Sequence, residues 1–533
     1  MSAMSEREYD VAVVGAGFAG MYLLHRLRAL EFNTRVIEAG SDVGGTWYWN
    51  RYPGARVDIE SMQYSYQFDE DLQQEWRWTE RYAPQPELLK YAGHVADRFD
   101  LRRDIQFNTR VAAAHYDEAT SRWTLEAENG DKITAHFFVM ATGCLSKPNW
   151  PKIEGLDSFA GPTYHTALWP HEEVDFTGQR VAVIGTGSSG IQSIPVIAEE
   201  AAELFVFQRT PNYAIPAHNQ PLDPVYEKEV KSRYAEFRAE AKLTPPGIHG
   251  RFRVGNAMDA TPEERLAEYE SRWETGGLSF MGSYGDLMFN QDSNDTVADF
   301  VRGKIGEIVD DPDVAELLCP RNIIGGKRLC IDTNYFVTYN QNHVHLIDVK
   351  ERPIEAITAN AVRAHGRDYE IDALVIATGF DAMTGALTAV DIRGRGDASL
   401  RDRWADGPSS YLGLAMTGFP NLFTVTGPGS PSVFTNMIPT IEQHVDWIAD
   451  CLTYMKDRNY TAIEAEPNAE KAWWEHNQEV ARVGLKSTTD SWYLGANVAG
   501  KARVFMPYYG GFPTYCEKCE EVVAAGYEGF AFG

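Results

Sequence analysis

Two glycine-rich turns and two groups of cations carry the clearest chemistry in this chain. Gly15-Ala16-Gly17-Phe18-Ala19-Gly20 and Gly185-Thr186-Gly187-Ser188-Ser189-Gly190 share the spacing G-x-G-x-x-G. Glycines so placed let backbone approach a pyrophosphate, and a helix starting there points unpaired N–H groups at the charge. The residue that follows each turn differs. Glu38 stands 23 residues after Gly15, where a carboxylate can accept hydrogen bonds from ribose hydroxyls. Arg209 stands 24 residues after Gly185, where an NAD site would have its acid. A guanidinium cannot accept from a hydroxyl, but its planar fork pairs with a 2′-phosphate. The second nucleotide is therefore read as NADPH, against the plainer reading of Arg209 as a surface cation after an edge strand. The pair Lys327-Arg328 lies inside Ile324-Gly325-Gly326-Lys327-Arg328-Leu329-Cys330-Ile331-Asp332. Two cations in an apolar, glycine-flanked stretch are not a solvated charge run. They serve a ligand or a structural ion pair.

Each turn must sit between a strand and a helix to work. Residues 9–14 (Tyr-Asp-Val-Ala-Val-Val) read as a buried strand, 21–30 as a helix and 34–37 as a second strand ending at Glu38. Residues 180–184, a helix to about 197 and a strand at 204–207 repeat that order around the second turn. Apolar runs ending in Ala141-Thr142-Gly143 and Ala377-Thr378-Gly379 mark where the chain passes between the two nucleotide units. Between the units' strands, 82–99 has helical spacing, while 105–111 and 123–128 read as strands. Residues 44–58, dense in Gly and aromatics, suit a loop around a large flat ligand better than a regular element. Because the loop follows a dinucleotide unit directly, flavin is favoured over a purely structural aromatic cluster. Residues 213–317 lack strand alternation and carry helical segments at 224–241 and 262–273. Strands return at 344–349 and 373–377, and a helix is predicted from 437 to 448. The predicted fold is α/β, with two Rossmann-like domains for FAD and NADPH and a helical insertion in the second. Its boundaries are 1–143 and 381–533 for FAD and 144–380 for NADPH, with the insertion at about 213–325.

Between the two turns lies Phe159-Ala160-Gly161-Pro162-Thr163-Tyr164-His165-Thr166-Ala167-Leu168-Trp169-Pro170. The spacing Phe-x-Gly-x-x-x-His-x-x-x-Trp-Pro fixes five of its twelve positions, namely Phe159, Gly161, His165, Trp169 and Pro170. This segment resembles the fingerprint of the Baeyer-Villiger monooxygenases, flavoenzymes that insert oxygen beside a ketone carbonyl. The resemblance extends over nearly the whole chain and looks nearest to the phenylacetone and steroid monooxygenases.

The resemblance implies NADPH- and O2-dependent oxidation of ketones to esters or lactones through a C4a-peroxyflavin. It implies catalytic roles for Arg328, beside the peroxyflavin, and for Asp58, which would orient it. FAD would be held by the first glycine turn and Glu38 with Thr46, Trp47, Tyr48, Trp49, Asp58, Tyr64, Val111 and Met437. NADP would be held by Arg56, Val57, Thr186, Gly187, Ser188, Ser189, Gly190, Ile191, Gln192, Arg209, Thr210, Lys327 and Arg328. Trp492 would close over the nicotinamide ribose from a mobile loop, or serve ordinary packing. His165 is assigned to domain coupling. Ser432, Val433 and Phe434 would face substrate from the loop 427–437. That loop looks like the longer version of the phenylacetone and steroid enzymes, which implies aryl or bulky ketones. Phe434 could equally pack inward. A sister enzyme oxidising N or S atoms is the first alternative, which Trp169-Pro170 argues against. A flavoprotein oxidase that leaks electrons to O2 is the second.

Composition narrows the partners. The 533 residues suffice for two or three domains, and 44% apolar content fits a globular protein. A formal charge of −27 disfavours nucleic acid and anionic membranes as partners. An anionic nucleotide therefore needs a local basic pocket against the global field. No apolar run approaches the ~20 residues of a membrane span. A strand starting at Tyr9 leaves no room for a leader, so the chain reads as cytoplasmic. No protein partner is evident. Six scattered cysteines make no disulfide framework. Cys516-Glu517-Lys518-Cys519 is predicted mid-helix beside acids that raise thiol pKa, which disfavours redox or metal use.

Overall fold

Alternation of apolar and small residues in Arg7–Val14 puts Val11, Ala12 and Val13 wholly inside the protein, and two sheets are organised around strands of this kind. The computed structural model describes residues 7–533. Arg7–Val14 pairs in parallel with Thr34–Ile37 on one side and Lys132–Met140 on the other. The early part of Lys132–Met140 pairs antiparallel with Arg122–Ala127, and its end pairs in parallel with Leu422–Thr424. Val111–Asp117 and Asp391–Arg393 extend the sheet, so strands from both ends of the chain share it. The second sheet is all parallel, in the order Val344–Asp348, Glu203–Gln208, Arg180–Ile184, Ala373–Ile376 and Thr163–His165.

Both sheets solve the nucleotide turn alike. Gly15 and Gly185 have φ of 106° and 113°, a region that side chains avoid. A Cβ on Gly15 would lie 2.6 Å from the Ala141 carbonyl oxygen, and one on Gly185 would lie 2.5 Å from that of Ala377. The recurring Ala-Thr-Gly thus marks the strand end that closes against each turn. Ala141 N–H donates to Val14 O at 2.9 Å and Ala377 N–H to Ile184 O at 2.8 Å.

Several elements differ from their sequence reading. The strand expected at 105–111 is two pieces, because Asn108 takes a left-handed φ of 53° after Ile105–Gln106 and a new strand starts at Val111. The aromatic loop contains one helical turn, Thr46–Trp49. The helix expected at 224–241 breaks at Arg233 into Pro224–Ser232 and Tyr234–Lys242. After the break the Tyr234 hydroxyl donates to Met62 O at 2.7 Å, and Arg238 reaches Gln63 O and Ser65 Oγ. The helix Met437–Arg458 runs ten residues past its expected end. Its buried stripe continues through Cys451, Leu452 and Met455 until Asn459 stops it in a left-handed conformation.

The helical insertion divides its packing between both units. Val230, Tyr234 and Phe237 join the core around Phe18, Leu23 and Tyr66. Tyr269, Phe280, Val297 and Val301 join the core of the all-parallel sheet. The short parallel pair Ala214–Pro216 with Cys330–Asp332 closes the insertion and presents Lys327 and Arg328 just before its second strand.

Candidate functional site

The helices Phe18–Ala29 and Ser188–Glu200 begin after Gly17 and Gly187 with no side chain on their first N–H groups. Elsewhere Asp69, Asp223, Thr261, Asn290, Asp311 and Asn436 cap helix starts with side-chain oxygens. A Cβ on Gly187 would meet nothing within 4 Å. Two uncapped helix starts behind glycine turns fit two pyrophosphates. Glu38 is buried at the end of Thr34–Ile37, where its carboxylate accepts from Ala16 N–H at 2.7 Å and Gly40 N–H at 2.6 Å. Those bonds fix it beside the first turn and leave lone pairs for a ribose.

At the second turn Thr186 Oγ1 donates to Thr210 O at 3.2 Å, tying the turn to the segment that carries Arg209. Arg209 is exposed and Lys327 half-buried. Burial, then the neighbouring Arg209, hold the Lys327 ammonium below its usual pKa, with Asp490 opposing them. Among the described residues no carboxylate lies within ion-pair distance of either. In a chain with 76 acids and 49 bases, two adjacent cations without an acid fit a phosphate. Ser188 Oγ lies 3.2 Å from Cys330 Sγ, Ser189 O accepts from Ser193, and Ile191 is buried. Gln192 Nε2 donates to Arg56 O at 3.0 Å and Gln192 Oε1 accepts from the Tyr52 hydroxyl at 2.7 Å, so the aromatic loop docks on the second nucleotide helix. Arg56 itself pairs with Glu80 at 3.0 Å, and Val57 is buried with its N–H on Ala83 O.

In the aromatic loop Trp47 Nε1 donates to the Tyr64 hydroxyl at 3.3 Å, the rings meeting edge-on. Tyr48 is buried against Ser41, Thr46 is exposed, and Trp49 lies under Arg110. Val111 belongs to a different apolar cluster from Trp47 and Tyr64. Met437 packs against the cluster of Trp47 and also against that of Val433.

Arg328 lies where these parts meet. Its Nε and Nη2 donate to the two oxygens of Asp58 at 2.9 and 2.8 Å, and Nη1 donates to Val433 O at 2.6 Å. Burial works against its charge, but Asp58 and then Tyr493 together more than offset this, so the guanidinium is held above its ordinary pKa. Tyr64 and Tyr493 stand in the same field, both phenols pushed up by burial and influenced by Arg328 and Asp58. Ser432 has a φ of 42°, a strained backbone for a side-chain residue, which turns Val433 O toward Arg328. Val433 is buried, and Phe434 packs inward against Tyr493, Phe505 and Tyr509. Trp492 is half-buried, with its ring centroid 4.2 Å from that of Tyr493.

The fingerprint is the edge of the all-parallel sheet. A Cβ on Gly161 would lie 2.5 Å from Asp372 O, so only glycine lets the strand approach. His165 Nδ1 accepts from Ala167 N–H at 3.0 Å, and its ring lies against Trp150. Phe159 packs in the cluster of Ile357 and Leu374, while Trp169 packs with Tyr164 and Phe176 before Pro170. Thr378 Oγ1 donates to Asn149 O at 2.6 Å, and Asn149 Nδ2 donates to Asn497 O at 3.0 Å. His165 Nε2 lies 3.5 Å from the same Asn149 O, so the fingerprint meets the Trp492 segment through Asn149. Asn149 and Asn497 carried no signal in the sequence.

Lys486 was also invisible in the sequence, an isolated lysine between a helix end and Trp492. Its Nζ donates to Gly325 O and faces the rings of Phe434, Tyr493 and Tyr509 at 5.2, 5.7 and 6.0 Å. Burial and then Arg328 bring it down to about 7. Cys516 and Cys519 lie within Phe512–Ala524, each thiol pushed up to about 12, mainly by burial, with Glu520 adding to it. Among the described residues no group of three or more His, Cys, Asp or Glu is gathered as a metal site requires, and no helix is long and apolar enough to cross a membrane.

The pyridine nucleotide-disulphide oxidoreductase family matches residues 12–244. A Baeyer-Villiger monooxygenase from Pseudooceanicola batsensis is 42% identical over 524 residues, covering 98% of this chain and 95% of that relative. A phenazine N-monooxygenase from Lysobacter antibioticus is 40% identical over 533 residues, covering 98% and 96%. The solved structure of an oxidised steroid monooxygenase bound to NADP is 50% identical, with a TM-score of 0.94 over 99% of each chain. With this fold, two nucleotide turns and the full-length likeness together, the chain belongs to the Baeyer-Villiger monooxygenases, FAD-containing and NADPH-dependent oxidoreductases.

Proposed function

We propose that the protein converts aryl or otherwise bulky ketones to esters or lactones with NADPH and O2, and that Arg328 is the residue on which oxygen insertion depends. The observation that carries this is the part-buried guanidinium whose three nitrogens are held by Asp58 and Val433 O. FAD, when bound, supplies the redox chemistry between NADPH and O2. Arg328 holds a permanent positive charge where negative charge develops on oxygen, and its high pKa keeps it from giving up a proton. Asp58 sets the plane of the guanidinium. Arg209 and Lys327 take the 2′-phosphate, and Glu38 takes a ribose. Tyr64, Tyr493 and Trp492 exclude water from the reacting groups. His165 and Asn149 couple the fingerprint to the Trp492 segment.

Residues 1–143 with 381–533 form the FAD unit in this reading, and 144–380 the NADPH unit, with the insertion resting on both. The six cysteines are all free, which suits a reducing compartment, and the cytoplasm is the location we assign. Val433 and Phe434 set the preference for bulky ketones. Oxidation of a heteroatom is the second reading, favoured by the full-length likeness to a phenazine N-monooxygenase. Gas chromatography of products from linear, cyclic, aryl and steroidal ketones, with a sulfide and a phenazine alongside, separates the two. Esters from ketones support the first reading. N- or S-oxides with no ester establish the second, and hydrogen peroxide equal to NADPH consumed overturns both.

A further inference from the structure

Among the cations around Arg328, three have acids, two serve the nucleotide turn, and Lys486 has neither role. Arg328 has Asp58, Arg56 has Glu80 and Lys501 has Asp381. Lys327 and Arg209 lie at the nucleotide turn. Lys486 has a single polar contact, the Gly325 carbonyl, and among the described residues no carboxylate lies within ion-pair distance. Three aromatic rings lie around it at 5.2–6.0 Å. A half-buried ammonium so placed has two further N–H groups without a protein partner, and a partly desolvated charge with no acid beside it gains from an anion. Its location is specific. Gly325 lies three residues before Arg328, and Phe434 directly follows Val433, whose carbonyl holds Arg328. Tyr493, which borders Lys486, also lies in the field of Arg328. Lys486 is therefore on the wall of the candidate site, between the guanidinium and the substrate loop.

We infer that Lys486 recognises an anion on the substrate, so that this chain takes ketones bearing a carboxylate on the arm away from the carbonyl. The inference rests on the ketone reading above. The rings would line the apolar part of such a keto acid while the ammonium pairs with its carboxylate. The nearby positive charge of Arg328 would add to the attraction. The nucleotide is the other source of an anion within reach, and the test separates the two.

The experiment compares kcat/KM for benzoylpropionate and for its methyl ester, at saturating NADPH, in the parent and in Lys486→Met and Lys486→Arg. A charged hydrogen bond should favour the acid by about 10- to 150-fold in the parent. Lys486→Met should bring the ratio near one, and Lys486→Arg should retain much of it. Flavin content of each variant shows that it is folded. A parent that prefers the ester, or a ratio unchanged in Lys486→Met, overturns the inference. So does a variant whose KM for NADPH rises equally with both substrates, since the anion is then the nucleotide. If neutral ketones give esters and the acid is not preferred, this inference falls and the ketone reading stands. If no ketone gives an ester, both fall.

Discussion

Asp58 and Arg328 lie 270 residues apart in sequence and meet in a two-pronged ion pair, with Nε and Nη2 on separate carboxylate oxygens. The pair joins the end of the aromatic loop to the segment that closes the helical insertion. Arg328→Ala should still bind FAD and consume NADPH, while ester formation falls by about 10²–10³, the usual loss for one donor at a developing negative charge. Asp58→Ala should lose less rate, because it acts through the guanidinium. Each variant leaves the part-buried charge of the other partner unpaired, so both should lower Tm. Ester and hydrogen peroxide are to be measured against NADPH consumed. Parental ester yield in Arg328→Ala would remove the proposed role.

Cofactor choice should depend on Arg209 and Lys327 together. Arg209→Ala should raise KM for NADPH about 10- to 150-fold and leave that for NADH nearly unchanged, since only NADPH brings a 2′-phosphate. Because Arg209 opposes the charge on Lys327, its removal also eases protonation of that lysine. Lys327 therefore compensates in part for the loss of Arg209, and the loss when both are replaced should exceed the sum of the two single losses. Equal loss for both nucleotides would show that Arg209 serves the fold.

Local patterns in the chain made the nucleotide turns legible. Gly15, Gly185, Glu38 and Arg209 each sit at a fixed offset from a strand end, and such offsets survive in a linear sequence. The Ala-Thr-Gly repeats stand out in the sequence, but that they close on Gly15 and Gly185 does not, because that contact is between distant backbones. Lys486 and Asn149 were not legible at all. Their meaning comes from neighbours more than a hundred residues away, Gly325 and Thr378, and no local periodicity encodes such a meeting. The break at Arg233 is similar, since the contacts of Tyr234 and Arg238 with residues 62–65 lie in another part of the chain.

Stability should respond to pH through His444. This fully buried imidazole accepts from Thr426 N–H at Nδ1, so Nε2 carries the proton and donates to the Tyr515 hydroxyl, which donates to Leu412 O. Burial lowers its pKa to about 3. The stabilising effect of the neutral ring is complete above the unfolded pKa of about 6.5. Below that the unfolded chain takes up a proton that the folded chain refuses, so stability falls as pH falls, by about 1.4 kcal/mol per unit until about pH 3. Glu442 and Asp332, raised by burial to about 7 and about 6, act in the opposite sense. The difference between parent and variant isolates the imidazole. His444→Gln should have a lower Tm than the parent at about pH 7.5, and the gap should narrow by about pH 5.5. A gap independent of pH would show that His444 is not the titrating group.

The substrate loop should set which ketones are accepted. Ser432, in its left-handed conformation, turns the Val433 carbonyl onto Arg328, so the backbone of the loop is fixed by the same group that is proposed to act on oxygen. Phe434 points into the ring cluster, 4.6 Å from the Tyr493 centroid and 5.5 Å from that of Tyr509. Val433→Ala keeps the carbonyl and removes two methyl groups near Arg328. It should therefore change the ratio of kcat/KM for phenylacetone to that for cyclohexanone by about 1–3 kcal/mol, with ester yield per NADPH preserved. Phe434→Ala opens space beneath Tyr493, the neighbour of Trp492. Its effect should reach NADP retention as well as substrate ratio, and it should raise the share of hydrogen peroxide. Phe434→Leu restores much of the lost volume and should recover the coupling. The parent should favour phenylacetone and a steroid ketone over cyclohexanone. If cyclohexanone is the best substrate, or both alanine variants leave the ratios unchanged, specificity is set elsewhere in the site.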